Sequence, residues 1–480
     1  MSLVWGLLAP SWGIILFCSQ VVLAFELLPR SSFWQPRYFH HVTSPTAAQL
    51  QQSTPTMLRM STVLDNACIS IEETAPRNFD NLEDWASACG VQKADGVQLI
   101  TESADVADNG VTDINVGIMT TQNIAAGQPV LFVPNDMIIS ASKVREEFGI
   151  DRSAETLLGR LGKSEDLPQY YLMLKILSEY EKGEASPYFP WLNGLPRYFS
   201  NGSSMTHFCC TKLLPPLVGK LANRERIRFT YFYKALQDSQ VLDNGLIKTN
   251  KALAKWAFAV VFTRCFPFGE TDGGDSHIIP IADYFNHGTY TEVEMNVDKE
   301  GNCFVYSTRD VPAGSPLRIS YGEPTNPSFL FARYGFLDES SPATFCKIMI
   351  PDHTPELINM GCDHSKMLFY KDTGEVSEEV WDVLLYRILG DTDRDTQQTL
   401  YNAHMTGDYE TKQQIHEYYY PQTYAALQDH ITSFLKDLDQ LTEKAAGRDQ
   451  EIHPRIPLVM RHNDFVRQTF LRVQQRLQTM

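Results

Sequence analysis

The sequence predicts an α+β chain: a β-rich domain of short strands interrupted by a helical insertion, followed by an all-α C-terminal domain. Three observations predict it. Short β-type runs fall in two groups, near 116–133 and near 278–321. About 110 residues of largely helical pattern lie between them. Beyond residue 338, Leu427, Ile431, Phe434, Leu435, Leu438 and Leu441 form an apolar stripe with the helical period.

The bulk properties agree. A chain of 480 residues has room for two or three domains, and 43% hydrophobic with 21% charged residues is ordinary globular composition. The 41 basic and 58 acidic residues leave a net charge of −17. That balance argues against a phosphate-gripping nucleic-acid binder and suits cationic partners such as lysine-bearing protein segments. Nine cysteines, irregularly spaced and without a CxxC pair, argue against a disulfide scaffold or a zinc ribbon. The only adjacent thiols are Cys209 and Cys210, and the usage favours a chain that works reduced.

The first residues read as addressing. From Met1 to Phe25 there is no Asp, Glu, Lys or Arg, and Val22 and Ala24 occupy the small-residue positions a signal peptidase reads. Residues 1–24 are therefore expected to be a signal peptide, cleaved before Phe25; an uncleaved membrane anchor is the competing reading. Residues 26–64 hold ten Ser/Thr, three Arg and one acidic residue, Glu26. Hydroxylated, basic and acid-poor, the 25–70 segment resembles a transit peptide, and the two together resemble the bipartite plastid presequence of algae with secondary plastids. The expected localisation is the plastid, with no stable membrane association after cleavage. The alternative is the secretory pathway, where Asn201-Gly202-Ser203 would be a glycosylation triplet.

The β-rich domain is expected over 75–338. A short helix opens it at 81–88, with Leu82 and Trp85 on one face. Strands are expected at 116–121, 129–133, 278–282, 303–307 and 317–321, with Gly301 and Gly314 at turns. The helical insertion is placed at about 145–255. Tyr171, Leu172, Leu174, Ile176 and Leu177 recur at helical spacing there, and 248–264 reads as another helix. The C-terminal domain, 340–480, is expected to be helical, with Asp464 capping a last helix that carries Val466, Phe470, Val473 and Leu477.

Several chemistries lose support. There is no GxGxxG, Walker loop or GxSxG. Asp391, Asp393 and Asp395 imitate an EF-hand, but Thr396 and Asn402 stand where Gly and Glu are needed, so calcium is rejected. His353, Cys362 and His364 are ligand types in a loop without a fourth ligand at a usual spacing, and no metal is expected.

Three segments stand out together. The first is Asn115-Val116-Gly117-Ile118-Met119-Thr120-Thr121 with Ile124-Ala125-Ala126-Gly127. The second is Pro280-Ile281-Ala282-Asp283-Tyr284-Phe285-Asn286-His287. The third is Gly314 to Gly322 with Tyr321, then Asn326 and Tyr334-Gly335-Phe336. In this order and spacing they resemble the SET domain of protein methyltransferases, in the Rubisco large-subunit methyltransferase-like class, which has a split SET domain and a helical C-terminal substrate-binding domain. Trp191 and Pro196 resemble the inserted region of that class.

The resemblance implies S-adenosylmethionine as methyl donor and a protein N-methyltransferase activity. It implies that Val116, Gly117 and Ile118 meet the donor, although Asn115 stands where the class usually has Gly. Arg264, Asp283, Asn286 and His287 are implied at the donor site, Tyr321 as the catalytic tyrosine, and Phe266 and Tyr334 on the substrate channel. An inactive SET-fold scaffold that only binds proteins is the alternative from another class.

The residue types suit this chemistry. Methyl transfer to an amine needs an in-line approach, so positioning is the main requirement. A lysine with pKa about 10.4 is neutral only about 0.04% of the time at pH 7, so a dry aromatic channel that favours the neutral amine helps. Tyr321, with an ordinary pKa of about 10, is expected to orient groups rather than act as a strong base. Members acting on histidine have a polar Asn where Phe266 aligns, so an apolar wall favours a lysine stem over a histidine ring. The expected substrate is a protein presenting a lysine, with Rubisco large subunit or aldolase as candidates.

Overall fold

A computed structural model describes residues 69–103, 114–268, 274–322, 325–347, 354–363 and 365–479. The signal peptide, nearly all of the transit-like segment, His353 and His364 lie outside the described residues.

The β-rich part is built from small sheets. One has the strands Gln92–Lys93, Pro129–Val133, Cys303–Ser307 and Val293–Val297 in that spatial order. Its Cys303–Ser307 strand buries Cys303, Val305 and Ser307 and turns Phe304 outward, the period-two alternation of a half-buried strand. A second sheet orders Val97–Ser103, Ile114–Thr120, Pro316–Ile319 and Asn286–His287. Here Pro316–Ile319 runs antiparallel to Ile114–Thr120, with Leu317 opposite Ile118. It runs parallel to Asn286–His287, with Ile319 opposite His287. Three stretches far apart in sequence thus meet side by side. A third sheet orders Ile139–Ser140, Asp275–Ile278 and Cys265–Phe268.

The strand expected at 278–282 stops at Ile278. Pro280 has no N–H for a ladder, and Ile281 adopts φ 75°, which closes the turn Ala282–Tyr284 instead. A β-branched residue in the left-handed region is strained, and the strain lies just before Asn286–His287.

Between Ile139–Ser140 and Cys265–Phe268 the described chain is helical. The Lys251–Arg264 helix starts at Asn250, whose side chain accepts from the Leu253 N–H at 3.0 Å. It is apolar on nearly every side and buries Leu253, Ala257, Val260 and Val261, so it lies inside the core rather than on a surface. Leu167–Lys182 packs against it and buries Tyr170, Tyr171, Leu174 and Leu177.

Among the described residues the C-terminal part is helical, with one small strand pair, Ala343–Phe345 and Leu368–Tyr370. Its long helix, Tyr409–Ala445, carries the expected stripe, and Leu427, Ile431, Phe434 and Leu438 pack with Val466, Phe470, Val473 and Leu477. Phe434 and Phe470 stack with centroids 4.3 Å apart. The last helix begins earlier than expected, at Ile456, and Asp464 sits exposed within it. Pro457 in its first turn explains the start, since its missing N–H would have no helical partner there. A further apolar cluster ties this region to the rest, joining Cys210, Leu213, Phe331 and Ala332 to Ala445, Ile456 and Val459.

Asn201 of the glycosylation triplet is buried. Asp393 of the EF-hand-like run accepts from the Thr396 N–H and caps the Arg394–Thr406 helix.

Candidate functional site

The second sheet gathers the site. The Ile114–Thr120 strand carries Val116, Gly117 and Ile118 past the end of the 280–287 turn. The Asn286 Nδ2 amide donates to the Val116 carbonyl at 3.2 Å. A Cβ on Gly117 would stand 2.8 Å from that same Nδ2, so any larger residue there must displace the Asn286 amide. The side chains of Val116 and Ile118 point into the core, which leaves their backbone as the part that faces neighbours.

His287 lies against Tyr321. The Tyr321 backbone N–H donates to His287 Nδ1 at 3.1 Å. Nδ1 is therefore the acceptor, the proton sits on Nε2, and Nε2 lies 3.3 Å from Asp338 Oδ2. Asp338 also accepts from the Thr289 hydroxyl at 2.8 Å, the Ser340 N–H at 3.0 Å and the Ser340 hydroxyl at 2.6 Å. Burial would raise the Asp338 carboxyl, but the bonds from His287, Ser340 and Thr289 outweigh it and hold the group well below the usual carboxylate range.

The Tyr321 hydroxyl donates to the Phe285 carbonyl at 2.6 Å. Burial pushes this phenol well above its ordinary value, with Arg264 opposing. It stays protonated at physiological pH and can donate or orient, but not act as a base. Tyr334 lies beside it with ring centroids 4.9 Å apart, and its hydroxyl reaches the Tyr321 carbonyl at 3.4 Å. Burial raises the Tyr334 phenol to about 12. Phe336 closes the group, 6.2 Å from the Tyr321 ring and 5.7 Å from His287.

Asp283 and Arg264 form a buried pair behind this group. Arg264 Nη1 donates to Asp283 Oδ2 and to its carbonyl, both at 2.8 Å. The Trp191 indole N–H donates to the same Oδ2 at 3.1 Å. Burial raises the Asp283 carboxyl, against the pull of Arg264 and Trp191. Asp283 Oδ1 and Arg264 Nε remain buried without a hydrogen-bond partner among the described residues. The pair braces the 280–287 turn against the end of the Lys251–Arg264 helix.

The structure thus brings Val116, Gly117, Asn286, His287, Tyr321 and Tyr334 together, with Arg264 and Asp283 directly behind. Phe266 sits half-buried on the neighbouring Cys265–Phe268 strand, opposite His277. Sequence reasoning missed Asp338 and the Phe285 carbonyl. A backbone acceptor leaves no trace in a residue pattern, and Asp338 lies 51 residues beyond His287 in a polar run that reads as a loop.

Residues 115–322 match the family model of the SET domain, and the chain shares the fold of solved SET-domain structures, followed by a helical C-terminal region. The solved structure of Rubisco LSMT bound to AdoMet shares that fold with a TM-score of 0.54 at 17% identity, covering 84% of this chain and 91% of that one. The SET domain of LSMT bound to lysine and AdoHcy gives the same TM-score and coverage at 15% identity. In sequence, the chain is similar to the actin-histidine N-methyltransferase of Danio rerio, 22% identical over 57% of this chain and 44% of that protein. The Homo sapiens protein of the same name is 21% identical over 55% of this chain and 43% of that protein. The chain thus spans less than half the length of these curated relatives.

Proposed function

We propose that this chain is an S-adenosylmethionine-dependent protein N-methyltransferase whose target is a lysine side chain. One observation carries the reading: a partly buried, protonated Tyr321 hydroxyl lies at the Phe285 carbonyl, beside the Gly117–Asn286 contact and the His287 corner.

The residues fit such a methyl donor. Gly117 keeps the Ile114–Thr120 backbone clear of a side chain where Asn286 approaches, and two buried polar atoms, on Asp283 and Arg264, lack partners. The backbone of Val116–Ile118 and the Asn286–His287 turn would hold the donor. When bound, S-adenosylmethionine supplies a methyl group made electrophilic by its sulfonium. The chain's own residues do the positioning. Tyr321, fixed at both its N–H and its hydroxyl, presents a hydrogen-bonding edge of defined direction. Tyr321, Tyr334 and Phe336 give an aromatic lining that disfavours an ammonium without a counter-charge, which lowers the cost of deprotonating the target.

The deciding experiment follows a radiolabelled methyl group into a protein fraction. Tyr321→Phe should lower transfer by roughly 100-fold, the range for losing one oriented donor, while donor binding changes less than about threefold. Transfer at the wild-type rate would exclude the assigned role, and donor binding without any transfer would support a protein-binding scaffold instead.

Histidine is the second reading, favoured by the similarity to actin-histidine N-methyltransferases. Lysine is preferred because Phe266, half-buried on the Cys265–Phe268 strand, is an apolar residue, which suits an alkyl stem better than a ring needing a hydrogen bond. The pH profile separates them. With a lysine target of pKa about 10.4, turnover should climb steadily from pH 7 to 9, because the neutral amine fraction rises about tenfold per unit. With a histidine target of pKa about 6.5 the profile should be nearly flat over that range. The plastid address is part of the proposal, and a fluorescent fusion of residues 1–64 retained in the secretory pathway would refute it.

A further inference from the structure

The Pro216–Asp238 helix presents a second feature, away from Tyr321. Lys220, Arg224, Ile227 and Tyr231 recur at helical spacing on one face. With Lys163 they line a cleft of about 200 Å³ whose floor is Arg228. Two same-sign side chains one turn apart repel, and Ile227 is 42% exposed between them and Tyr231. Neither arrangement helps the helix on its own.

The charge of this face is not neutralised from below. Arg228 is already matched: its Nε lies 2.9 Å from Asp166 Oδ2 and its Nη1 3.0 Å from Glu225 Oε1. Glu225 is matched again by Arg333, with Oε2 3.0 Å from Nη1. Lys163 has an exposed partner, Glu165, at 3.1 Å. Lys220 and Arg224 have no ion pair among the described residues. In a chain of net charge −17, a carboxylate-poor cationic face beside an exposed isoleucine is a local reversal of sign.

The cleft is also joined to the site. Arg228 and Arg333 both lie over the Phe262 ring, at 5.2 and 4.4 Å, and Arg333 immediately precedes Tyr334. One buried ion-pair network therefore forms both the floor of the cleft and the support of the Tyr334 wall.

We infer that this cleft docks an acidic segment of the protein substrate, its carboxylates on Lys220 and Arg224 and an aliphatic side chain on Ile227 and Tyr231. The inference rests on the methyltransferase reading for the identity of the substrate, but the binding it asserts does not. Sequence-independent RNA is the competing occupant of a basic surface, disfavoured by the net charge and by the exposed isoleucine.

The test uses the full chain and a fluorescein-labelled peptide alternating Glu and Asp around a central Leu, followed by anisotropy at low salt. Lys220→Glu with Arg224→Glu should weaken binding about tenfold or more, and Ile227→Ala about threefold. The milder Lys220→Ala with Arg224→Ala pair should give a smaller loss in the same direction. Lys436→Glu, an exposed charge on the Tyr409–Ala445 helix, should leave binding unchanged. Equal affinity in wild type and the double reversal overturns the inference, as does a uridine oligonucleotide of equal charge binding more tightly than the peptide. Calorimetry with S-adenosylmethionine keeps the two readings apart. Peptide binding without donor binding leaves the cleft standing and removes the enzyme; donor binding and transfer without peptide binding does the reverse.

Discussion

Asp338→Asn tests the architecture behind Tyr321. The carboxylate accepts three hydrogen bonds, from the Thr289 hydroxyl on Oδ2 and from the Ser340 N–H and hydroxyl on Oδ1, and its Oδ2 lies 3.3 Å from His287 Nε2. An amide has one acceptor atom and one donor atom. With the Asn NH₂ at the Oδ2 position, the Thr289 hydroxyl can rotate and accept, but His287 must move its proton to Nδ1. That proton would then face the Tyr321 N–H, now 3.1 Å away and donating. With the amide flipped, the NH₂ faces the Ser340 N–H, which cannot rotate. Either orientation leaves one donor facing another, among partly buried groups at His287 or at the exposed Ser340, at a cost of up to about 1–3 kcal/mol. The substitution should therefore lower stability by that amount and cut methyl transfer by roughly 5- to 100-fold, because the Tyr321 backbone is displaced. The assay pairs chemical denaturation with two-bond ¹H–¹⁵N spectra of His287. Wild type should show the proton on Nε2, and the variant a shifted tautomer. The depressed Asp338 pKa adds a sign: its stabilisation is complete above the ordinary carboxylate pKa and fades as pH falls through the lowered value. The variant should lose that acid-limb dependence. An unchanged tautomer together with stability within about 0.3 kcal/mol of wild type would rule out this role for Asp338.

Two other substitutions probe separate points. Gly117→Ala places a Cβ 2.8 Å from Asn286 Nδ2 and should displace that side chain. It should cost about 1–2 kcal/mol in a melt and weaken S-adenosylmethionine binding about tenfold by calorimetry. Lys347 is buried at φ 56°, its Nζ donating to the Ser328 hydroxyl at 2.6 Å, and burial drives its pKa down to about 7. The unfolded chain binds the extra proton between about pH 7 and 10, so stability should rise with pH across that window. Lys347→Met should be more stable at pH 7 by about 1–3 kcal/mol and show a flatter profile, as urea titrations at pH 7 and 9 would reveal.

Much of the local structure is legible without coordinates. The strand at 303–307 alternates, and its observed bounds match the expectation. The 427–441 stripe has one period only, and it lies within one helix. These patterns survive because backbone stereochemistry and burial of one face act over a few residues. Where a local rule was overruled, a neighbouring residue did it. Pro280 with the strained Ile281 ended a strand at Ile278, and Pro457 moved a helix start to Ile456.

The catalytic candidates were legible for a different reason. Their types and order resemble a known domain, and the sheet that pairs Ile319 with His287 and Leu317 with Ile118 puts them side by side. The contacts that tune them were not legible. Trp191, Arg264 and Asp283 read as separate residues of three segments until the fold buries them on one carboxylate. Nothing in the sequence sets the His287 tautomer, assigns Asp338 to it, or aims the Tyr321 hydroxyl at a backbone carbonyl. The periodic elements, the acidic balance and the chemical types available to the site follow from residue order and composition. Tertiary structure alone decided which charges cancel, which protons have acceptors and which face stays cationic. Those depend on distances of about 3 Å between residues tens to hundreds of positions apart, where hydrogen bonding and low-dielectric electrostatics act and sequence spacing carries no information.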